Sequence, residues 1–455
     1  MSEVEATPRN VAHLFRRAAW GATPEQISAW ADGGDIEKLV RALLDWNAAP
    51  PAGSPHRRTQ GDSVILDHEF HLWWWHLAVT SPTPAIERLA WFWHGHFATS
   101  LRKVEWADLM HQHMVMLRRH SLGGIDEILS AVTHDPAMNI WLDLHLSEVG
   151  APNENYAREL LELFSMGAGN GYGQLDVAQA ARALTGYALR YEEQWRPMGT
   201  QLLPELHDFG RKTFLGVTGD LSADDLIATI TARPECPEFI ATRLWTRYAG
   251  TQPTPQTLAP IASALAGPDG SIHDGLVTLL TSPEFYSNEV MTGLVTQPVE
   301  ILVRTARNFE IDMLDPNGRA FDYGDDGDLE NPEVWDSLAI SWWAERMGQE
   351  PAYPPNVGGW AHNEPWLDAN RSAARLVVGR EIGWHIVESE SRIAQRLAAH
   401  TSPKRLAEAV LRQFGLVEWS EDTVDAVATA AAADGWIAVE HAIAAAFVSP
   451  EVVLA

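Results

Sequence analysis

Apolar residues spaced three and four apart along most of the chain are the feature that most constrains its fold. The pattern runs through IEKLVRALLDW (36–46), AIERLAWFW (85–93), LDVAQAARALTGY (175–187) and RLAEAVLRQFG (405–415). Such spacing places apolar side chains on one face of an α-helix, and alternating strand patterns are scarce. Most of these segments begin after Ser, Thr, Asp or Asn and end near Gly or Pro, as helices do. The sequence therefore predicts an all-α fold, a multi-helix globular array with long functional loops and little or no β-sheet.

A chain of 455 residues exceeds the usual single compact domain. We predict an N-terminal helical segment (1–60), a central helical core with the polar motifs (61–310), an acidic and Pro/Gly-rich loop region (311–365) and a C-terminal helical packing element (366–455). A further loop is predicted from about 191 to 220. The phrases TSPEF (281–285) and VSPEV (448–452) predict a serine N-cap, a first-turn proline and a glutamate facing the positive helix end.

Charge and composition exclude several classes of partner. With 61 acidic and 33 basic residues the formal net charge is -28, a field that repels nucleic acid and anionic membrane. No stretch reads as a secretory signal or a membrane span, which predicts a cytoplasmic protein. The single cysteine, Cys236, predicts a buried structural thiol. The 20 tryptophans fit either an aromatic groove for a sugar or peptide or ordinary core packing.

The segment PNENYARELLELFSMG (152–167) predicts a helix with a polar stripe. At 100° per residue, Asn155, Glu159 and Glu162 fall within about 60° of one another. Apolar residues flank the stripe, so the carboxylates are expected to be partly buried and to need a cation or a donor. Two interpretations stay open. The carboxylates either join helices through an ion-pair network with Arg158 and other arginines, or hold a metal ion or act as acid and base in a cleft.

The segment AWFWHGHFATS (90–100) supplies two histidines, His94 and His96. We expect Gly95 to end or loosen the helix, which would let both imidazoles turn toward one site. Imidazole and carboxylate together are a usual ligand set for a divalent metal ion. The alternative is an aromatic core that contains the histidines with their polar tips satisfied.

The segment HDFGRKTFLG (207–216) adds three polar side chains near a turn at Gly210. The adjacent pair His207 and Asp208 can ligate a metal or form an oriented base, and Lys212 can hold an anionic group.

The acidic segment DYGDDGDLENPE (322–333) partly matches a calcium-binding loop. Its candidate ligands are Asp322, Asp326, Asp328 and Glu333. Gly324 stands where a ligand is expected and Pro332 precedes the last glutamate, so an acidic solvated loop is the favoured interpretation.

Several segments together resemble the bacterial domain-of-unknown-function family numbered 1800. In order they are HLFRRAAWGATPEQI, FWHGHFATS, HDPAMNIWLD, PNENYARELLELFSMG, YGQLDVAQAARALTGY, HDFGRKTFLG and PPNVGGWAHNEPWL. The resemblance covers residues 10–380 and implies a helical fold. It also implies that the polar motif residues above match motif positions of the family, to which no role is assigned. Proteins of this family are often encoded beside a sulfatase-like family of unknown function, and many are exported. This chain departs from them because it shows no export signal.

These observations lead to one main functional hypothesis and one alternative. We expect a metal-dependent enzyme, a hydrolase or an oxidoreductase, whose divalent metal ion is bound by His94, His96, Asn155, Glu159, His207 and Asp208. Glu162 would act as acid or base, and Lys212 with Arg158 would stabilise charge that develops on a small polar substrate. The alternative is a non-catalytic binding or assembly protein whose buried polar network fixes helix packing, with a sulfatase-like protein as one candidate partner.

Overall fold

Helices dominate the structure, a computed structural model that describes residues 4–53, 65–191, 197–313, 332–433 and 435–454. The described strands form only two short hairpins. Apolar side chains from the first helix to the last share one large hydrophobic core. The prediction of an all-α, multi-helix array is therefore confirmed.

The helices of the first half of the chain carry most of the polar motifs. They are α1 (Pro8–Ala18), α2 (Pro24–Ala31), α3 (Ile36–Leu43), α4 (Asp67–Thr80), α5 (Pro84–His96), α6 (Leu101–Val104), α7 (Ala107–Arg119), α8 (Ile125–Thr133), α9 (Pro136–Trp141), α10 (Glu154–Glu159) and α11 (Gln174–Ala183). A π-helical turn (Leu160–Ser165) follows α10 directly.

The remaining helices complete the core. They are α12 (Ala223–Thr231), α13 (Glu235–Ala249), α14 (Pro255–Leu265), α15 (Ile272–Leu280), α16 (Asn288–Met291), α17 (Pro298–Asn308), α18 (Pro332–Arg346), α19 (Ala369–Glu388), α20 (Arg392–Ala398), α21 (Pro403–Gln413), α22 (Glu421–Ala430), α23 (Trp436–Phe447) and α24 (Pro450–Val453). Short 3-10 helices lie at Trp46–Ala48, Leu144–Leu146, Pro204–Leu206, Pro283–Tyr286 and Glu364–Leu367.

Proline begins many of these helices, but the residue before it does not always cap them. The Thr7 side chain accepts a hydrogen bond from a first-turn amide of α1, as an N-cap does. In the Ser-Pro-Glu phrases, Ser282 and Ser449 instead donate to the carbonyl oxygens of Leu279 and Ala446, in the helix that has just ended. Both serines occupy the predicted N-cap position and the first-turn proline is confirmed, but neither hydroxyl accepts a capping hydrogen bond, because each one satisfies a C-terminal carbonyl of the preceding helix.

The segment predicted as a loop from about 191 to 220 contains two antiparallel hairpins. β1 (Tyr187–Tyr191) pairs with β2 (Pro197–Leu202), and β3 (Lys212–Phe214) pairs with β4 (Val217–Gly219). Leu215 and Gly216 both have positive φ and form the two-residue turn of the second hairpin. Strands this short give too few alternating positions for a period of two to be recognised. Helix α18 likewise occupies part of the region 311–365 that was predicted as loop.

A buried carboxylate joins three helices near the centre of the core. Glu300 of α17 pairs with Arg88 of α5 at 2.5 Å and with Arg247 of α13 at 2.6 Å. Burial alone would raise the pKa of Glu300, but Arg247 and Arg88 hold it well below its usual value. Because two guanidiniums share one carboxylate, this cluster keeps one surplus positive charge inside a strongly acidic protein.

Three more buried arginines surround this cluster and are satisfied by oxygen atoms without a full charge. Arg17 donates to the carbonyl oxygens of Tyr248 and Val290, and Arg375 donates to a carbonyl oxygen before α17. Arg304 reaches a carbonyl oxygen near the end of α24 at 3.4 Å. The carbonyl groups that Arg17 and Arg304 contact lie at helix C-termini and carry partial negative charge, which stabilises these two guanidiniums without neutralising them.

Two simpler predictions concern the cysteine and membrane spans. Cys236 is buried, as predicted, and burial raises the pKa of its thiol to about 12. Among the helices of the described ranges, none has the combination of length and apolar character that crossing a bilayer requires.

The central ion cluster makes a stability prediction. Replacing Glu300→Gln leaves Arg88 and Arg247 buried without a counter-charge, so we expect a loss of about 3–5 kcal/mol in the free energy of unfolding. Guanidinium unfolding of the variant measures this loss. The exposed Glu289→Gln serves as the control and is expected to change stability by less than about 0.5 kcal/mol. Equal midpoints for the two variants would contradict the central role of Glu300.

Candidate functional site

The PNENYARELLELFSMG segment forms α10 and continues without a break into the π-helical turn. The Met166 amide bonds five residues back, to the Leu161 carbonyl oxygen at 3.0 Å. A π turn adds one residue to a helical turn and is frequent at functional sites. The predicted stripe is only partly buried: Glu159 and Glu162 are half-buried, and Asn155 is exposed.

Glu159 and Glu162 form a pair of carboxylates in which the charge of Glu162 acts on Glu159. Burial and the neighbouring Glu162 raise the pKa of Glu159, and Arg158 opposes this effect. Arg158 itself forms its ion pair with Glu154 at 2.9 Å and donates to Gln174 at 3.1 Å. Its guanidinium therefore bridges α10 to α11. Within the described residues, neither Glu159 nor Glu162 forms a salt bridge.

Helix α5 continues through Gly95 and ends at His96. Residues two apart leave a helix about 200° apart around its axis, so the two imidazoles contact different parts of the core. The ring centroid of His94, a fully buried residue, lies 5.2 Å from that of Trp360. Nε2 of His96 lies 3.0 Å from the carbonyl oxygen of Phe164 in the π turn.

A buried histidine that the sequence analysis did not single out lies beside His94. His113 is fully buried, its ring centroid lies 5.9 Å from that of His94, and its Nδ1 donates to Asp135 at 2.9 Å. In the part of the chain that the structure describes, Nε2 of His113 and both ring nitrogens of His94 lack a hydrogen-bond partner. The sequence signal for His113 is weak, because its spacing fits an amphipathic helix face equally well.

The three polar residues of the HDFGRKTFLG segment all contact protein partners. His207 donates from Nδ1 to a carbonyl oxygen just after α11 at 2.8 Å. Asp208 pairs with Arg182 at 2.7 Å, and hydrogen bonds from Arg182 lower the pKa of Asp208. Lys212 is buried and pairs with Asp220 at 3.1 Å. These contacts hold the segment against α11 and the second hairpin.

Across the described ranges, no three His, Cys, Asp or Glu side chains are grouped closely enough to hold a metal ion. The metal-binding role of the residues named above stays a prediction, as do the catalytic roles of Glu162, Lys212 and Arg158. The candidate calcium loop lies outside the described residues at Asp322, Asp326, Asp328 and the side chain of Glu333.

A small polar cleft opens where α5, α13 and the PPNVGGWAHNEPW segment (354–366) meet. Its volume is about 110 Å³. The lining side chains that matter for its chemistry are His96, Arg243, Arg247, Gln297, Trp360 and His362. Of the predicted site residues, His96 is the one that lines this cleft.

Backbone contact between two glycines positions the loop over α5. Gly359 has a φ of +79°, and a Cβ atom at this position would lie 2.1 Å from the carbonyl oxygen of Gly95. Trp360 then packs on Trp91 with a centroid distance of 4.5 Å and an interplanar angle of 30°. Asn363 secures the other end of the loop, because its Oδ1 accepts from the Val295 amide at 2.8 Å. Glycine is therefore required by geometry at position 359.

Arg243 is the most unusual side chain of the cleft. It remains accessible to solvent, yet enough protein surrounds it that burial lowers its pKa. Both statements hold because a side chain in the wall of a cleft is crowded by protein and still reachable by a small molecule. Within the described residues, Arg243 has no hydrogen bond and no carboxylate partner.

The two histidines of the cleft are held neutral. Burial, with a contribution from Arg243, lowers the pKa of His96 to about 3. Burial and Arg247 lower the pKa of His362 to about 4, although Glu300 opposes the shift. Nδ1 of His96 and Nε2 of His362 have no hydrogen-bond partner among the described residues.

Sequence reasoning missed Arg243 and His362. Arg243 and Arg247 are four residues apart on α13, a like-charge spacing that is unfavourable on a helix unless something compensates it. That spacing is the signal that could have drawn attention to the helix. His362 lies in a segment identified as a functional loop, but no pattern relates it to α13.

The neutral histidines predict how stability depends on pH. The unfolded chain protonates His362 near pH 6.5, whereas the folded chain does so only near pH 4, so protons favour unfolding in this window. Stability should therefore fall as the pH decreases from about 6.5 to about 4, by up to about 1.4 kcal/mol per pH unit for this residue. Urea unfolding of His362→Gln across that range should show a shallower dependence than the native protein. The same substitution at the exposed His134 is the control, and an unchanged slope in His362→Gln would contradict the prediction.

Comparison with known proteins supports the resemblance noted in the sequence. A search of the curated proteins and of the solved structures found no significant match. The family model described as "Protein of unknown function (DUF1800)" matches residues 13–454, nearly the whole chain. The chain therefore belongs to the DUF1800 family of proteins of unknown function.

Proposed function

We propose that the protein is a hydrolase-type enzyme that takes an anionic group of its substrate into the cleft beside His96. The observation that carries this proposal is the unpaired guanidinium of Arg243. A chain with a net charge of -28 has many carboxylates with which a structural arginine could pair. Arginine binds carboxylate, phosphate and sulfate oxygens through paired hydrogen bonds, so an anion from solution is the partner that fits this position.

The surroundings of Arg243 favour an anion further. Arg247 also lines the cleft, and the carboxylate with which it pairs, Glu300, is shared with Arg88. In the described part of the chain, Nη1 of Arg247 has no hydrogen-bond partner. Attraction between a cation and an anion is stronger in a crowded cleft than at an open surface, because less water screens it.

The neutral imidazoles provide acid–base chemistry that responds to the substrate. A bound anion stabilises the imidazolium form and so raises the pKa values of His96 and His362 from their low values toward neutrality. One imidazole could then take a proton from an attacking water molecule and return it to the leaving oxygen, which is the proton balance of a hydrolysis. The alternative, a binding protein without turnover, would use the arginines alone.

Arg243→Gln tests the proposed function. The change removes the unpaired charge but keeps a polar side chain, so we expect at least tenfold weaker binding of an anionic probe, a loss of about 1.4 kcal/mol or more. Isothermal titration of the native protein and the variant with inorganic phosphate, sulfate and acetate gives the comparison.

Arg405→Gln is the matched control, since Arg405 is exposed on α21, away from the lining of the cleft. It should bind each probe as the native protein does. Native protein that binds none of the three anions at millimolar concentration, or an Arg243→Gln variant that binds them unchanged, would refute an anion site in this cleft.

A metal-dependent enzyme is a second proposal. It is supported by the unpartnered ring nitrogens of His94 and of His96, since a metal ligand must be a neutral imidazole with a free nitrogen. Association with a sulfatase-like protein stays a prediction in either case.

Elemental analysis tests the metal proposal. We expect near-stoichiometric divalent metal in the purified, tag-free protein and its loss in a folded His94→Ala, Glu159→Ala double variant, because both side chains are proposed ligands. Plasma mass spectrometry measures the content, and thermal unfolding confirms that the variant is folded. Absence of metal from both samples, even after incubation with zinc, iron, manganese and calcium, would count against a metal enzyme.

A further inference from the structure

The balance of charge around the cleft indicates the charge of its ligand, an inference that rests on the proposed anionic substrate. We infer that the cleft binds a doubly charged tetrahedral oxyanion, such as the phosphate of a phosphomonoester, in preference to a singly charged sulfate or carboxylate group.

The first argument is the number of charges. Two guanidiniums, those of Arg243 and Arg247, line the cleft, and no carboxylate is among its described lining residues. The carboxylate that pairs with Arg247, Glu300, is shared with Arg88, and three further buried arginines around it add positive charge. A dianion offsets more of this positive charge than a monoanion does.

The second argument is the geometry of the donors. Arg243 and Arg247 are four residues apart on α13, so both guanidiniums lie on the same side of that helix. Arg243 is accessible to solvent and has no partner among the described residues, so its N–H groups can donate to different oxygen atoms of one ligand, while Arg247, whose Nη1 is buried and unpartnered, adds positive charge on the same side. A phosphate presents three acceptor oxygens at tetrahedral angles, whereas a carboxylate presents two in one plane.

The third argument is space. The cleft is small, with a volume of about 110 Å³, and the charged groups of the site lie in its wall. We place the oxyanion group of the ligand in it, beside Arg243. The organic part would extend past exposed Gly358 and partly exposed Trp360, whose indole offers a flat apolar surface. A phosphomonoester of an aromatic or sugar-like group fits both regions.

A pair of probes with the same shape and different charge tests the inference. Benzylphosphonate and benzylsulfonate share an aromatic group and a tetrahedral head, resist hydrolysis, and carry two and one negative charges at about pH 8.5. We expect the native protein to bind benzylphosphonate at least tenfold more tightly in isothermal titration. Arg243→Gln removes one of the two guanidiniums that line the cleft, so this preference should shrink to a few-fold, while Arg405→Gln keeps it.

The outcomes separate this inference from the proposed function on which it rests. Equal binding of both probes, lost in Arg243→Gln, would overturn the preference for a dianion and leave the anion cleft standing. Tighter binding of benzylsulfonate would overturn the preference as well. Binding of neither probe, nor of phosphate, sulfate or acetate, would overturn the anion cleft itself. A preference that Arg243→Gln and Arg405→Gln both retain would place the dianion site elsewhere on the protein.

Discussion

One carboxylate shared by two guanidiniums is the interaction on which the architecture of the cleft depends. Glu300 lies in the first turn of α17, where its second oxygen also accepts a hydrogen bond from the Gln297 amide at 3.0 Å. From there it holds Arg88 of α5 and Arg247 of α13, so the distance between the two helices that form the cleft is set by an ion cluster. A second carboxylate at this point would balance the charges of Arg88 and Arg247.

The same cluster also positions the 354–366 loop, which forms the third wall of the cleft beside α5 and α13. Gln297, whose backbone amide donates to Glu300, donates from its side chain to the Ala361 carbonyl oxygen at 3.2 Å, and Gln349 donates to Gln297 at 2.8 Å. The loop that carries Trp360 is therefore attached to the residue that orients the central carboxylate. Packing, charge and loop position are coupled here, because buried polar groups that share partners cannot move independently.

The sequence was sufficient for the fold class and for part of the site. Apolar spacing identified the helices because long segments repeat their period many times, whereas the three-residue strand β3 offers no such repetition. The FWHGHF and PPNVGGW segments did contribute to the cleft, through His96 and Trp360. Arg243 could not be recognised in this way, since it is distinguished by having no partner among the described residues, and this is visible only when distant parts of the chain are brought together. His207 shows the opposite case. Its imidazole is suited to chemistry, but in the fold it donates a hydrogen bond to a backbone carbonyl oxygen.

The PNENYARELLELFSMG segment contacts the cleft residue His96 through its backbone. The carbonyl oxygen of Phe164 lies in the last turn before the π-helical segment ends, so it has no amide partner within its own helix and accepts from His96 Nε2. A carbonyl oxygen cannot donate, and this contact therefore requires the proton of the neutral imidazole to be on Nε2. The lone pair is then on Nδ1, the nitrogen without a partner among the described residues. The π turn thus selects the tautomer in which Nδ1 of His96 can accept a proton, so this segment influences a cleft residue through its backbone although its side chains do not line the cleft.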